Sequence, residues 1–173
     1  PTIRHLFTHT AGFAYGLFMS NPVDKVYVDQ RVMGVESTLT EMIDKLAKLP
    51  LIYQPGDEWQ YSISIDILAR LVEIWSGKSF RDLLKERIFT PLGMDDTDFS
   101  VPEEKHHRLT SLYSPIDLRD PMVPGLKACP DILIGSVREP KSFHSGGGGL
   151  VTTIADYTTF IQMIINGGEW QGQ

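Results

Sequence analysis

A mainly α fold of the α+β type, with at most two or three short strands, is what this sequence predicts. Three observations lead there. Apolar residues recur at helical spacing in several stretches, above all between Ile63 and Trp75. Helix signals bracket those stretches: Thr38-Leu39-Thr40-Glu41 spells a capping box, Thr153 can cap a helix with Asp156 at its third position, and Gly77 suits a left-handed C-cap. Period-two alternation is confined to short runs, Glu58 to Tyr61 and Arg108 to Ser114.

The helices follow in order. Thr2 to Thr8 reads as a short helix with Ile3, Leu6 and Phe7 on one face, closed by Gly12 as C-cap. An aromatic, glycine-punctuated loop, Phe13 to Phe18, comes next, and Asn21 to Gly34 reads as irregular. The second helix runs from the capping box to about Lys48, with Leu39, Met42, Ile43, Leu46 and Leu49 inward and Pro50 as its stop. The third follows Ser62, its expected N-cap, and should bury most of its girth around a polar stripe of Asp66, Arg70 and Glu73. The fourth starts at Ser79 and should end before Pro91, which disfavours the α conformation at Thr90. Pro115 to Pro140 carries few periodic signals and reads as a long surface loop. A fifth helix follows four consecutive glycines, Gly146 to Gly149, with Tyr157, Phe160, Ile161, Ile164 and Ile165 apolar, and closes at Asn166-Gly167.

Composition narrows the class. The 173 residues suit a single, mostly helical domain over 1–173. Hydrophobic content of 42% and charged content of 22% exclude a disordered chain. No apolar run approaches the ~20 residues of a membrane span. A net charge of −6 without a basic cluster argues against a nucleic-acid partner. Cys129 is the only cysteine, so neither a disulfide framework nor a cysteine zinc site is expected. The chain opens on Pro1 and closes in a glycine-containing turn, so truncation at both ends relative to a longer parent is expected. No localisation is assigned on that basis.

The stretch Gln54 to Gly77 carries the chemistry. Pro55-Gly56 fits the centre of a type II turn, and an extended piece then delivers Tyr61 to the mouth of a buried helix. Pro-Gly-Asp-Glu-Trp-Gln-Tyr-Ser before that helix, with Ser-Gly-Lys after it, resembles the second motif of the serine β-lactamase-like hydrolases, the group of class C β-lactamases, D-alanyl-D-alanine carboxypeptidases and related esterases. Two further blocks are similar to that family: Thr2 to Gly12, and Gly147 to Tyr157. The resemblance implies the helical region of the β-lactamase/transpeptidase-like fold. It also implies an acyl-enzyme mechanism in which the motif-two tyrosine, Tyr61 here, shares proton transfer with a Ser-x-x-Lys pair. A serine hydroxyl needs such a base, because it is a poor nucleophile with its proton in place.

Two of the family's three motifs are missing. No serine of this chain has a lysine three residues later, and no Lys-Thr-Gly or His-x-Gly follows the last helix. His144-Ser145-Gly146 spells His-x-Gly but precedes the glycine run. The expectation is therefore a region of a serine hydrolase that is inactive by itself. The family's β-lactamases and peptidases carry Asn two residues after the tyrosine, where this chain has Ile63. Replacing an amide with an apolar wall tilts the expected substrate to a small-molecule carboxylic ester, with a β-lactam or D-alanyl peptide as alternative. A non-catalytic binding module on the same fold is the other alternative.

Other candidates are weaker. Phe13 and Tyr15 lie in the loop that borders the pocket in the family, so they are candidate acyl contacts alongside Ile63. His5 and His9 are four apart, which would place them on one helix face, but no His-Glu-x-x-His pattern supports a metal site. The glycine run is not followed by Lys-Ser/Thr and so does not form a phosphate loop. No metal or cofactor is expected. Apolar faces left uncovered should promote self-association.

Overall fold

The computed structural model describes residues 1–16, 19, 21–34, 36–117, 120, 122–128 and 136–172. Cys129 and the loop residues Leu17 and Phe18 lie outside that set. The helices are α1 (Ile3–Phe7), α2 (Pro22–Asp29), α3 (Leu39–Leu46), α4 (Ser64–Ser76), α5 (Phe80–Leu84), α6 (Thr90–Leu92) and α7 (Ile154–Ile165). A π-helical turn, Lys85–Phe89, joins α5 to α6, and a 3-10 helix spans Glu103–Arg108. Two strands occur among the described residues, β1 (Tyr113–Pro115) and β2 (Leu126–Ala128), paired antiparallel with Tyr113 opposite Ala128. β2 is exposed throughout, so this ribbon lies on the surface and contributes little to the core. The fold is mainly α, as periodicity and the capping signals predict.

Helix α4 is the hub, packing against α1, α3 and α5. Its Ile67, Leu68 and Ala69 join Leu6, Tyr27, Leu39, Met42, Leu46 and Phe143 in the main core. A second, smaller core gathers Phe89, Leu92 and Met94, with Phe160 and Met163 of α7 against it. An antiparallel bridge between Asp98 and Val151 ties the lead into α7 to that second core.

Several local expectations hold. Thr38 and Glu41 form the reciprocal capping box, Thr153 Oγ1 accepts from the Asp156 amide, and Gly77 ends α4 at φ 68°. The Gln54–Asp57 turn closes with a 3.1 Å hydrogen bond, with Gly56 at φ 101°.

Others are corrected. Asn21 to Gly34 is not irregular: Asn21 caps α2 by accepting from the Asp24 amide, and Pro22 takes the first turn, where its missing N–H costs nothing. Thr8, not Gly12, is the C-cap of α1, and His9 then turns left-handed at φ 53°. Gly12 is instead a place of close approach, where an added Cβ would lie 2.3 Å from the Tyr53 carbonyl oxygen. Thr90 is helical at φ −64°, ψ −48°. The π turn accommodates Pro91: Thr90 donates back to Lys85, five residues earlier, and the helix runs on to Gly93. Of Arg108 to Ser114 only Tyr113 and Ser114 are strand, in β1, the rest being a 3-10 end and a connector, and β2 lies within the expected Pro115–Pro140 loop.

Candidate active site

Four backbone hydrogen bonds fasten the segment after α1 to the Gln54–Ile63 stretch and its lead-in. Ile52 donates to Gly12, Gly56 to Thr10, Gln60 to His9 and Ile63 to Ala14, at 2.7–3.3 Å. Tyr61 emerges from this laced pair at the threshold of α4, with 37% of its surface exposed. Its ring packs against two others, with the Tyr15 centroid 5.3 Å away and that of His9 4.8 Å away, both tilted about 32–33°. Ring packing of this kind fixes orientation as well as burying area. Tyr61 is therefore an accessible phenol on a fixed base.

Tyr15 is positioned by a buried acid. Asp24, 1% exposed in α2, accepts from the amides of Gly16 at 2.8 Å and Tyr15 at 3.3 Å, and from the Asn21 side chain at 3.0 Å. Burial, with the Asp66 and Tyr61 charges behind it, pushes the Tyr15 phenol above its usual range. Phe13 is half-buried and packs on the main core.

Ile63 is the correction among the expected contact residues. It has no exposed surface, sits among the core residues and serves as the uncapped N-terminal boundary of α4. An apolar wall at that position has no open space to line. Ser62 is likewise not the N-cap: its buried hydroxyl bonds with the Ser64 hydroxyl at 2.7 Å.

The glycine run reaches this region through Asp66, which the helical pattern alone had placed in a polar stripe. Asp66 is 1% exposed and accepts from the Ser145 hydroxyl at 2.5 Å and the Gly147 amide at 3.4 Å. Burial raises its pKa, and the bonds from Ser145 and the glycine amides oppose the rise. In the rest of the stripe Arg70 pairs with Glu73 within α4 at 2.9 Å, and Glu73 links α4 to α5 by accepting from the Phe80 amide at 3.0 Å. His144 stacks on Phe99, 4.8 Å between centroids, with its pKa lowered by burial. His5 and His9 do not share a helix face, since His9 has left the helix. No group of three or more His, Cys, Asp or Glu that could hold a metal occurs among the described residues.

A cavity of about 760 Å³ lies elsewhere, between Arg81, Asp96, Asp98, Lys105, Arg108 and the start of α7. Its charges answer one another: Arg81 with Asp98 at 2.5 Å, and Asp96 with Lys105 at 2.5 Å and Arg108 at 2.7 Å. The Arg108 and Lys105 bonds hold the Asp96 carboxyl down to about 2. None of Tyr61, Tyr15, Phe13 and His9 lines it. Chemical grouping, rather than volume, makes the Tyr61 cluster the candidate site.

Comparison with known proteins places this geometry in context. Residues 1–172 match the family described as Beta-lactamase. Protein Rv1367c of Mycobacterium tuberculosis is 34% identical over 98% of this chain and 40% of its own length. Esterase EstB of Burkholderia gladioli is 29% identical over 94% of this chain and 44% of its own. Among solved structures, EstCE1, a hydrolase with promiscuous acyltransferase activity, superposes with a TM-score of 0.78 at 23% identity, covering 99% of this chain and 47% of that one. The chain thus spans about 40% of the length of the curated relatives it matches.

Proposed function

Since the chain belongs to the beta-lactamase family, we propose that Tyr61 is the proton-handling phenol of a serine hydrolase that cleaves carboxylic esters through an acyl-enzyme. The serine hydroxyl attacks the ester carbonyl and gives up its proton to the tyrosine–lysine pair. The tetrahedral adduct collapses, and the departing alkoxide takes a proton back as alcohol. Water then attacks the acyl-serine by the same route and releases the acid. No serine here stands three residues before a lysine, so the nucleophile and its lysine would come from sequence outside residues 1–173.

The observation that supports the reading is the exposed Tyr61 ring, packed against the rings of His9 and Tyr15 at the start of the hub helix. Tyr15 and Phe13 are the proposed acyl contacts. The preference for esters rests on the missing amide at Ile63 and on relatives named esterase EstB and lovastatin esterase. With Ile63 buried, the preference comes from a lost polar contact and not from a gained apolar one.

The test is turnover of a chromogenic ester and a chromogenic cephalosporin by residues 1–173, repeated with Tyr61→Phe. No hydrolysis above buffer is expected. Hydrolysis that survives repurification would place the nucleophile inside the chain and overturn the proposal. In a longer form carrying Ser-x-x-Lys, Tyr61→Phe should lower kcat/KM by 10²–10⁴-fold, the usual contribution of acid–base catalysis. A longer form that lacks Ser-x-x-Lys yet binds the ester would favour the binding-module reading.

A further inference from the structure

His9 stands out because its polar groups close around Tyr61 from both sides. Its carbonyl accepts from the Gln60 amide at 2.9 Å, and its ring Nδ1 accepts from the Ser62 amide at 3.2 Å. These are the residues directly before and after Tyr61, while the imidazole itself lies 4.8 Å from the phenol ring. Ser62 Oγ is 3.3 Å from the same Nδ1 and 2.7 Å from Ser64 Oγ, with both serines buried. An amide N–H can only donate, so Nδ1 carries a lone pair and the ring proton resides on Nε2. The backbone at His9 is left-handed, φ 53°, a conformation costing roughly 1 kcal/mol for a residue with a side chain. Glycine or asparagine would adopt it at less cost, but neither supplies a ring.

We propose that His9 is a positioning residue for Tyr61: in its neutral Nε2–H form it pins both flanking peptide units and braces the phenol ring, so that the hydroxyl is presented in one orientation. The inference rests on Tyr61 being the working phenol, and it adds the group that holds it. A catalytic phenol displaced by about 1 Å loses as much as a hundredfold in rate, which gives such a brace its functional weight.

The test is NMR on the isotope-labelled 173-residue chain. In the wild type, ring nitrogen correlations for His9 at pH 7.5 should show Nδ1 bare and Nε2 protonated. His9→Phe keeps a ring but no acceptor, so the Ser62 amide should exchange with solvent roughly tenfold faster while Tyr61 ring signals stay near their wild-type positions. His9→Asn puts an amide oxygen close to where Nδ1 was, so Ser62 protection should return while the Tyr61 ring signals shift towards solvent-exposed values. Tyr27, 2% exposed in the core, reports in every variant whether the fold survives. A proton on Nδ1, or unchanged Ser62 and Tyr61 signals in both variants, overturns the proposal. Should a variant lose Tyr27 dispersion, the wild-type tautomer and a through-space His9–Tyr61 contact decide alone. None of these readouts needs turnover, so they stand even if Tyr61 fails its own activity test.

Discussion

Tyr61 and Ile63 are two positions apart, 37% and 0% exposed respectively. Resemblance to the family's Tyr-x-Asn motif makes both candidate pocket residues, and in an extended segment they would point the same way. The backbone turns between them: Ile63 has φ −68° and ψ 15° at the boundary of α4, and its side chain swings into the core. At this scale the titration of the histidines gives a prediction. Burial lowers the pKa of His9, and of His144, where the Arg81 charge adds to the effect and Asp98, Glu73 and Asp82 oppose it. The unfolded value is 6.5, so the unfolded state takes up protons first on acidification. Stability from these two groups is complete above pH 6.5 and falls as the pH drops through their lowered values. Asp66 works in the opposite sense, because its raised pKa lets acid relieve a buried charge. A melting temperature lower at pH 5.5 than at 7.5, with a smaller difference in His144→Gln, is expected by calorimetry. An identical pH dependence in that variant would show that His144 does not contribute.

Helix boundaries were legible where a side chain does the capping and illegible where tertiary contact does. Thr38, Ser79 and Thr153 each accept from the amide three residues on, a local bond that the sequence spells out. The Asn21-Pro22 start of α2 is local in the same terms, Asn21 accepting from the Asp24 amide with Pro22 in the first turn. The start of α4 was not legible, because Ser62 spends its hydroxyl on Ser64 and the His9 ring, partners set by the fold. The contact between the glycine run and α4 is equally tertiary. A Cβ on Gly146 would meet the Ile65 carbonyl oxygen at 2.4 Å and Ala69 Cβ at 2.8 Å, whereas one on Gly148 would meet nothing within 4 Å. Gly146→Ala should cost about 3 kcal/mol, the upper end for overpacking, because helix backbone cannot yield cheaply. Gly148→Ala should be neutral within about 0.5 kcal/mol. Urea denaturation of the two variants side by side checks the pair, and equal midpoints would refute the close approach.

At the scale of the whole molecule, α7 has two apolar faces. Phe160 and Met163 pack on the second core, while Ile154, Tyr157, Ile161, Ile164 and Ile165 remain 36–89% exposed along the other side. The apolar pattern was correctly read, but only one side of the helix finds a partner among the described residues. A helix apolar on both sides needs a second cover. Residues 1–173 are therefore expected to self-associate, with a light-scattering mass above 19.5 kDa, and Ile161→Glu with Ile165→Glu should return the mass to that of the monomer. A monodisperse 19.5 kDa species without these substitutions would count against an adhesive α7.

By itself, the sequence determined the mainly α class and the capped starts at Thr38, Ser79 and Thr153, which rest on bonds between neighbours, and the family, which rests on three short blocks in a fixed order. The tertiary structure alone decided which apolar residues are inside, that Ile63 is core, that Asp66 holds the glycine run, and that His9 closes on both flanks of Tyr61. Those outcomes join residues 53 and 79 positions apart. Local periodicity carries no record of such pairings, because they exist only once the chain has closed on itself.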